Sequence, residues 1–121
     1  MAVPRTERLN SLLREVISDV IHKEVHNPDL SEFTTVTRVE ITKDLRHAKV
    51  YVSIMGPPEE QEKSLNALKS AAGFIGVTAS KQVVMRFFPE LRFLLDDSAE
   101  KAQHIEKLIR EVQDERDNRP D

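Results

Sequence analysis

Two histidines one turn apart on a predicted helix are the residues best placed for metal chemistry. His22 and His26 are separated by four positions, so a helix brings them to one side, where such a pair can hold zinc. A zinc-protease helix carries glutamate directly after the first histidine, where this chain has Lys23. Glu24 points well around the helix from both histidines, and no third ligand accompanies them. We therefore predict surface histidines and no metal site.

The sequence also contains few candidate catalytic residues. Asp96 and Asp97 adjoin the start of a predicted helix, where carboxylates most often serve as caps. The sequence contains no cysteine, which excludes a thiolate nucleophile, a disulfide and a cysteine-based zinc site. It also lacks a G-x-S-x-G elbow, a P-loop and a dinucleotide-binding fingerprint. The sequence predicts a protein that is not an enzyme and uses no cofactor.

The composition is that of one globular domain. The 121 residues are 39% apolar and 32% charged, with no apolar run long enough to span a bilayer. Charged side chains interrupt the first 15 residues, so we expect no signal peptide and a cytoplasmic location. These residues are Arg5, Glu7, Arg8, Arg14 and Glu15.

The net charge of −3 conceals an uneven distribution. Residues 63–92 carry five basic side chains against one acidic, whereas residues 95–121 carry five basic against nine acidic. This predicts a basic centre suited to phosphate and an acidic C-terminal part. An ordinary solvated surface is the other explanation that the charges alone allow.

A short segment rich in small residues, residues 69–76, is the most informative for binding. Gly73 and Gly76 fall inside a helical pattern, where each glycine costs about 1 kcal/mol relative to alanine. Together they form a G-x-x-G, the spacing by which KH domains clamp a nucleic-acid backbone. Small residues at a bend would let a phosphate approach the backbone N–H groups of the following helix. A helix kinked by core packing is the alternative.

Periodicity places these features on seven elements. A leucine-rich helix (7–26) precedes two strands (34–42 and 48–55), which a short connection requires to pair antiparallel. Helical character follows to about residue 84 and is expected to break near the glycines, giving two helices. A third strand (91–95) and a last helix (98–112) complete an α+β order of α-β-β-α-α-β-α, a three-stranded sheet with helices on one face. Residues 1–112 form the domain, and the polar residues 113–121 are expected to be a flexible tail.

Three segments together resemble the ribosome-binding factor A family. They are residues 43–53 (KDLRHAKVYVS), residues 71–75 (AAGFI) and residues 89–98 (PELRFLLDDS). The resemblance extends over about residues 3–112 and includes the opening Arg5-x-x-Arg8. It implies a type II KH-like domain whose G-x-x-G is replaced by an Ala-x-Gly bend between two helices, here Ala71, Ala72 and Gly73.

The resemblance also implies a function and its partners. Members bind the free small (30S) ribosomal subunit late in maturation and assist processing of 16S rRNA near its 5′ end, notably in the cold, without catalysis. Members often have a basic residue where this chain has Gly76. Local positive charge must then come from Lys69, Lys81 and Arg86.

We therefore expect a monomer that binds 16S rRNA through the Ala-x-Gly bend and its neighbouring cations. If Lys69, Lys81 and Arg86 make no contact, the RNA-binding face moves to the first two strands and their turn. The candidates there are Arg38, Lys43, Arg46 and Lys49. A protein–protein interaction module on the same scaffold is the main alternative, and a metal-dependent hydrolase using His22 and His26 is a third.

Overall fold

A computed structural model describes residues 5–117 of the chain, with the backbone alone described at 99, 100, 116 and 117. Three helices and three strands alternate as α-β-β-α-β-α, and the predicted α+β class is confirmed. The elements are α1 (Arg5–Glu24), β1 (Thr34–Ile41), β2 (His47–Ile54), α2 (Pro58–Ser80), β3 (Glu90–Leu95) and α3 (Ser98–Asp117).

The strands form one mixed sheet in the order β1-β2-β3. β1 and β2 pair antiparallel, as predicted from their short connection. β3 lies parallel to β2, because α2 carries the chain back along the sheet before β3 begins. A bulge at Thr37 shifts the register of β1 between Val36 and Arg38.

The core lies between one face of this sheet and the two helices α1 and α2. The alternation predicted for β2 is confirmed, since its four inward side chains are buried while Lys49 is exposed. The apolar stripe of α1 and the buried side of α2 cover them. The largest fully buried side chains are Leu13, Ile17, Leu68, Ile75, Val20, Val50, Val52 and Ser64.

The second helix differs from its prediction, because α2 is one continuous helix of 23 residues. Between Pro58 and Ser80 the chain shows neither the expected break nor a glycine with positive φ. Gly73 and Gly76 are helical, so the propensity cost of two glycines does not interrupt a helix that the core holds on both sides of them. The buried side chains of Leu68, Ile75 and Ala79 supply that support.

The C-terminal helix α3 begins at a carboxylate that also contacts the sheet. The Oδ1 of Asp96 accepts hydrogen bonds from the backbone N–H of Ser98 (3.0 Å) and from its hydroxyl (2.6 Å). Its Oδ2 accepts from the Thr37 hydroxyl at the β1 bulge (2.6 Å). The bonds from Ser98, and then the one from Thr37, lower the pKa of Asp96 from 3.8 to about 2. Asp96 therefore fixes the start of α3 from the position before its N-cap, which is Asp97, whose carbonyl accepts the first helical hydrogen bond from the Lys101 N–H (2.9 Å).

Beyond its first turn, the described apolar side of α3 is left largely exposed. Its apolar side chains share one side, as the sequence indicated, but Ile105, Leu108, Ile109 and Val112 are 47–56% exposed. The helix continues to Asp117, past the predicted domain boundary at residue 112, and residues 118–121 lie outside the described part. The flexibility of residues 113–121 stays a prediction. Within the described residues, no helix is long and apolar enough to cross a membrane.

Candidate nucleic-acid interface

Three connections of the fold meet at one end of the domain, where β1 finishes and β2 and β3 begin. The backbone N–H of Glu90, the first residue of β3, donates to the carbonyl of Arg46, which directly precedes β2 (2.8 Å). The turn after β1 and the loop before β3 are therefore neighbours. The Asn10 side chain accepts from the N–H of Ile41, which places the first turns of α1 at the same end (2.9 Å).

The turn between β1 and β2 presents Lys43 and Arg46 in a fixed arrangement. Asp44 accepts from the Thr42 hydroxyl (2.6 Å) and from the Arg46 backbone N–H (3.0 Å), and these bonds lower the pKa of its carboxyl. Leu45 occupies the left-handed region, with a φ of 61°. That conformation is costly for a non-glycine residue, so the surrounding hydrogen bonds must hold it in place.

The end of α2 and the loop that follows it add two more cations. Lys81 caps the helix and donates its backbone N–H to the carbonyls of its last turn, and its side chain is exposed. Arg86 is exposed in the loop at residues 81–89, and its guanidinium lies 5.5 Å from the centre of the Phe87 ring.

Sequence reasoning did not assign Arg5 and Arg8 to this end. Both are exposed on the first turns of α1, beside the strand end that Asn10 contacts. The two arginines are evident in the sequence at the start of the amphipathic helix. Their position near the β1–β2 turn and the α2–β3 loop follows only from the direction in which α1 runs relative to β1.

We call this group the basic pole. Its members are Arg5, Arg8, Lys43, Arg46, Lys81 and Arg86. Three acidic residues, Glu7, Asp44 and Glu90, lie on the same segments. Among the described side chains, none of the six cations lies within 4.0 Å of a carboxylate oxygen, whereas Arg38 and Lys63 both form ion pairs elsewhere. Unpaired cations gathered from three separate segments form a surface that suits phosphate groups.

The other predicted strand cations lie away from the pole, on the outer face of the sheet. Arg38 stacks over the Tyr51 ring, 4.0 Å from its centre, and pairs with Glu40 at 3.5 Å. Lys49 is exposed beside them, opposite Glu40 on β1 and Arg92 on β3. The four cations predicted on the first two strands and their turn therefore lie in two places. Lys43 and Arg46 lie at the same end as Lys81 and Arg86, whereas Arg38 and Lys49 lie on the outer face of the sheet.

The small-residue segment lies in the middle of α2 and exposes only part of itself. Ala71 and Ala72 are half-buried and pack against the core, so neither forms an open notch between two helices. Gly73 and Lys69 are exposed, and a Cβ added at Gly73 would meet nothing within 4 Å. The RNA contacts expected of Lys69, Ala71, Ala72 and Gly73 stay predictions, with Gly73 the small residue open to a partner.

His22 makes structural contacts, whereas His26 is exposed. Both ring nitrogens of His22 face backbone carbonyl oxygens, Ser18 at 2.8 Å and Thr34 at 3.1 Å. Each nitrogen is thus directed at a protein oxygen and not into solvent, where a metal ion would bind. In the described part of the chain, no group of three histidine, aspartate or glutamate side chains could hold a metal ion.

Comparisons with known proteins show sequence similarity over most of the chain. The family model of ribosome-binding factor A matches residues 5–109. A ribosome-binding factor A of Protochlamydia amoebophila is 56% identical over 119 residues, covering 98% of this chain and 91% of that protein.

Solved structures resemble the fold as well. The solution structure of a Thermotoga maritima protein, a putative ribosome-binding factor A, has a TM-score of 0.70 at 33% identity and covers 78% of this chain and 89% of that one. A homology model of the Thermus thermophilus factor, fitted into a cryo-EM map of its complex with 30S, has a TM-score of 0.62 at 26% identity. It covers 76% of this chain and 96% of that one. The match to the family model over most of its length shows that this chain belongs to the ribosome-binding factor A family.

Proposed function

We propose that this protein binds the free small ribosomal subunit through the basic pole, which contacts the phosphate backbone of 16S rRNA. The observation that carries the proposal is the set of six exposed cations, drawn from α1, the β1–β2 turn and the α2–β3 loop, with no ion-pair partner among the described residues. Phosphates are the complementary ligand, because each contact releases condensed counterions.

The proposed role is assistance in late maturation and 5′-end processing of 16S rRNA, by binding alone. Family membership and the Thermus thermophilus relative fitted into a 30S complex support it. A rigid domain with a cationic end can hold an rRNA segment in one conformation while other factors act on it. Such a protein is needed in stoichiometric amounts and has no turnover.

Co-sedimentation with purified subunits tests the proposal. We expect the protein to travel with free 30S subunits and to be absent from translating 70S ribosomes. Its affinity should fall with salt at a log–log slope of about −4 to −5 if all six cations contact phosphate. A shallow slope with retained binding would favour the protein–protein alternative, and failure to bind 30S would refute the function.

A further inference from the structure

The loop between α2 and β3 is unusually apolar, and it is held from beneath. Val83, Met85 and Phe88 are half-buried and pack against the core. The intervening side chains point outward, with Val84 fully exposed and Phe87 75% exposed. Because the half-buried side chains hold the loop against the core, the exposed side chains between them are presented in fixed positions.

Phe87 stands out among these outward residues because of where it lies. The loop leads into Glu90, whose N–H bonds to the carbonyl of Arg46, so the loop that carries Phe87 adjoins the β1–β2 turn, and the ring itself lies beside Arg86. An aromatic ring exposed among unpaired cations offers two complementary contacts at once. Its π-face can stack on a flat group while the cations neutralise adjacent phosphates.

We propose that Phe87 is a stacking contact for an unpaired RNA base, so that the basic pole takes single-stranded rRNA. Paired bases are stacked on each other and present edges and phosphates, whereas an unpaired base exposes its face. An apolar protein partner fits the ring less well, because its apolar surface would have to desolvate the surrounding cations without neutralising them. This inference deepens the proposed function and rests on it.

A single substitution supplies a direct probe, because the sequence contains no tryptophan. Phe87→Trp in the full-length protein introduces one indole at the proposed contact. We expect its fluorescence to be quenched by an unstructured oligoribonucleotide of about 10 nucleotides, and to change little when the same strand is annealed to its complement. Equal quenching by the duplex would overturn stacking on an unpaired base.

Affinity measurements separate stacking from charge. Phe87→Ala should weaken binding of the single-stranded oligoribonucleotide about 5-fold to 150-fold and leave the salt slope unchanged. Arg46→Ala should instead reduce the magnitude of that slope by roughly one. Phe33→Ala is the matched control, since that phenylalanine is 65% exposed at the opposite end of the domain and should have no effect. Val84→Ala tests general loop hydrophobicity and should also leave binding unchanged.

The outcomes distinguish this inference from the function on which it rests. If Arg46→Ala weakens binding and Phe87→Ala does not, the stacking contact is refuted and the basic pole stands. If neither changes binding, both proposals fail. Each variant is first checked by thermal melting, and the exposure of Phe87 predicts an unchanged melting temperature.

Discussion

The two ends of this domain are built from the same elements but differ in charge and in how their polar groups are used. At the end opposite the basic pole, where α1 ends and α2 begins, there are eight acidic side chains and three basic ones. We call this end the acidic pole. Its residues are Glu24, Asp29, Glu32, Glu59, Glu60, Glu62, Asp96 and Asp97, with Lys23, Lys63 and Lys101.

Several polar groups of the acidic pole are already engaged inside the protein. The hydroxyl of Ser64 accepts from the N–H of Ser31 and donates to the carbonyl of Asp29, while Asp96 binds Thr37 and Ser98. Among the described side chains, the six cations of the basic pole form no ion pair. The contacts of Ser64 and Asp96 stabilise the fold, whereas the proposed function assigns the cations of the basic pole to RNA phosphates.

The largest expected effect comes from removing the basic pole. Replacing Lys43, Arg46, Lys81 and Arg86 together by alanine should weaken binding to 30S subunits on the order of 100-fold or more, and flatten the salt slope by roughly three to four. All four side chains are exposed, so each should change the free energy of unfolding by no more than about 0.5 kcal/mol.

The matched control removes three negative charges from the acidic pole. Changing Glu59, Glu60 and Glu62 to glutamine alters a similar amount of charge at the other end of α2. Binding should change little. A comparable loss of affinity in this variant would show that the polarity of the domain does not direct RNA to one end.

A smaller effect, on stability alone, is expected at the acidic pole. Ser64 is buried, so Ser64→Ala removes the acceptor for the Ser31 N–H without giving water access to it. The free energy of unfolding should fall by about 1–3 kcal/mol, measured by urea denaturation. Ser70→Ala, at an exposed position of the same helix, serves as the control. Weaker 30S binding by folded Ser64→Ala would contradict a purely structural role.

The Asp96 carboxylate predicts an acid-dependent component of stability. Its pKa is held at about 2 in the folded protein against 3.8 ordinarily, because the charged form accepts bonds from Ser98 and Thr37. A lowered pKa stabilises the folded state above pH 3.8, and this contribution is lost as the pH falls towards 2. After allowance for solvent screening at this partly exposed site, roughly 1 kcal/mol is at stake.

Thermal melts between about pH 6 and pH 2 measure this component. Asp96→Asn should lower stability at neutral pH and remove that part of the acid dependence. The neighbouring Asp97→Asn is the control, since Asp97 is exposed and pairs only with Lys101 among the described residues. An unaltered acid profile for Asp96→Asn would contradict the assignment.

The sequence was most informative where local periodicity decides the structure. Alternating residues identified β2 and its buried face, and the leucine stripe identified α1. The sequence did not reveal that α2 is one continuous helix. A glycine lowers helix propensity without specifying a break, and the contacts of α2 with the core determine whether the helix continues. It did not show that the stripe of α3 is uncovered, because amphipathicity marks a face but not its partner.

The sequence identified four cations of the basic pole but not their grouping, because the grouping depends on tertiary structure. Its cations belong to three segments far apart in the chain, and only the parallel pairing of β2 and β3 brings the α2–β3 loop beside the β1–β2 turn. Sequence reasoning therefore treated Lys81 and Arg86 as one candidate surface and Lys43 and Arg46 as part of another. The fold places the four at one end.

The smallest predicted effect concerns Gly73, about two turns before the end of α2. Alanine is favoured over glycine in a helix interior by about 1 kcal/mol, and a Cβ at Gly73 would meet nothing within 4 Å. Gly73→Ala should therefore raise the free energy of unfolding by about 0.5–1 kcal/mol. A glycine that the fold does not require, at an exposed helical position, suggests a requirement from outside the chain.

If RNA backbone approaches α2 closely at this point, the same substitution should weaken 30S binding about fivefold, equivalent to about 1 kcal/mol. Gly76→Ala is the matched control, because its Cβ would lie 4.0 Å from the Phe88 ring, an ordinary contact, and it gains the same helix propensity. It should stabilise the protein without affecting binding. A Gly73→Ala protein that is more stable and binds as tightly as the parent would remove Gly73 from the interface and confine RNA contact to the basic pole.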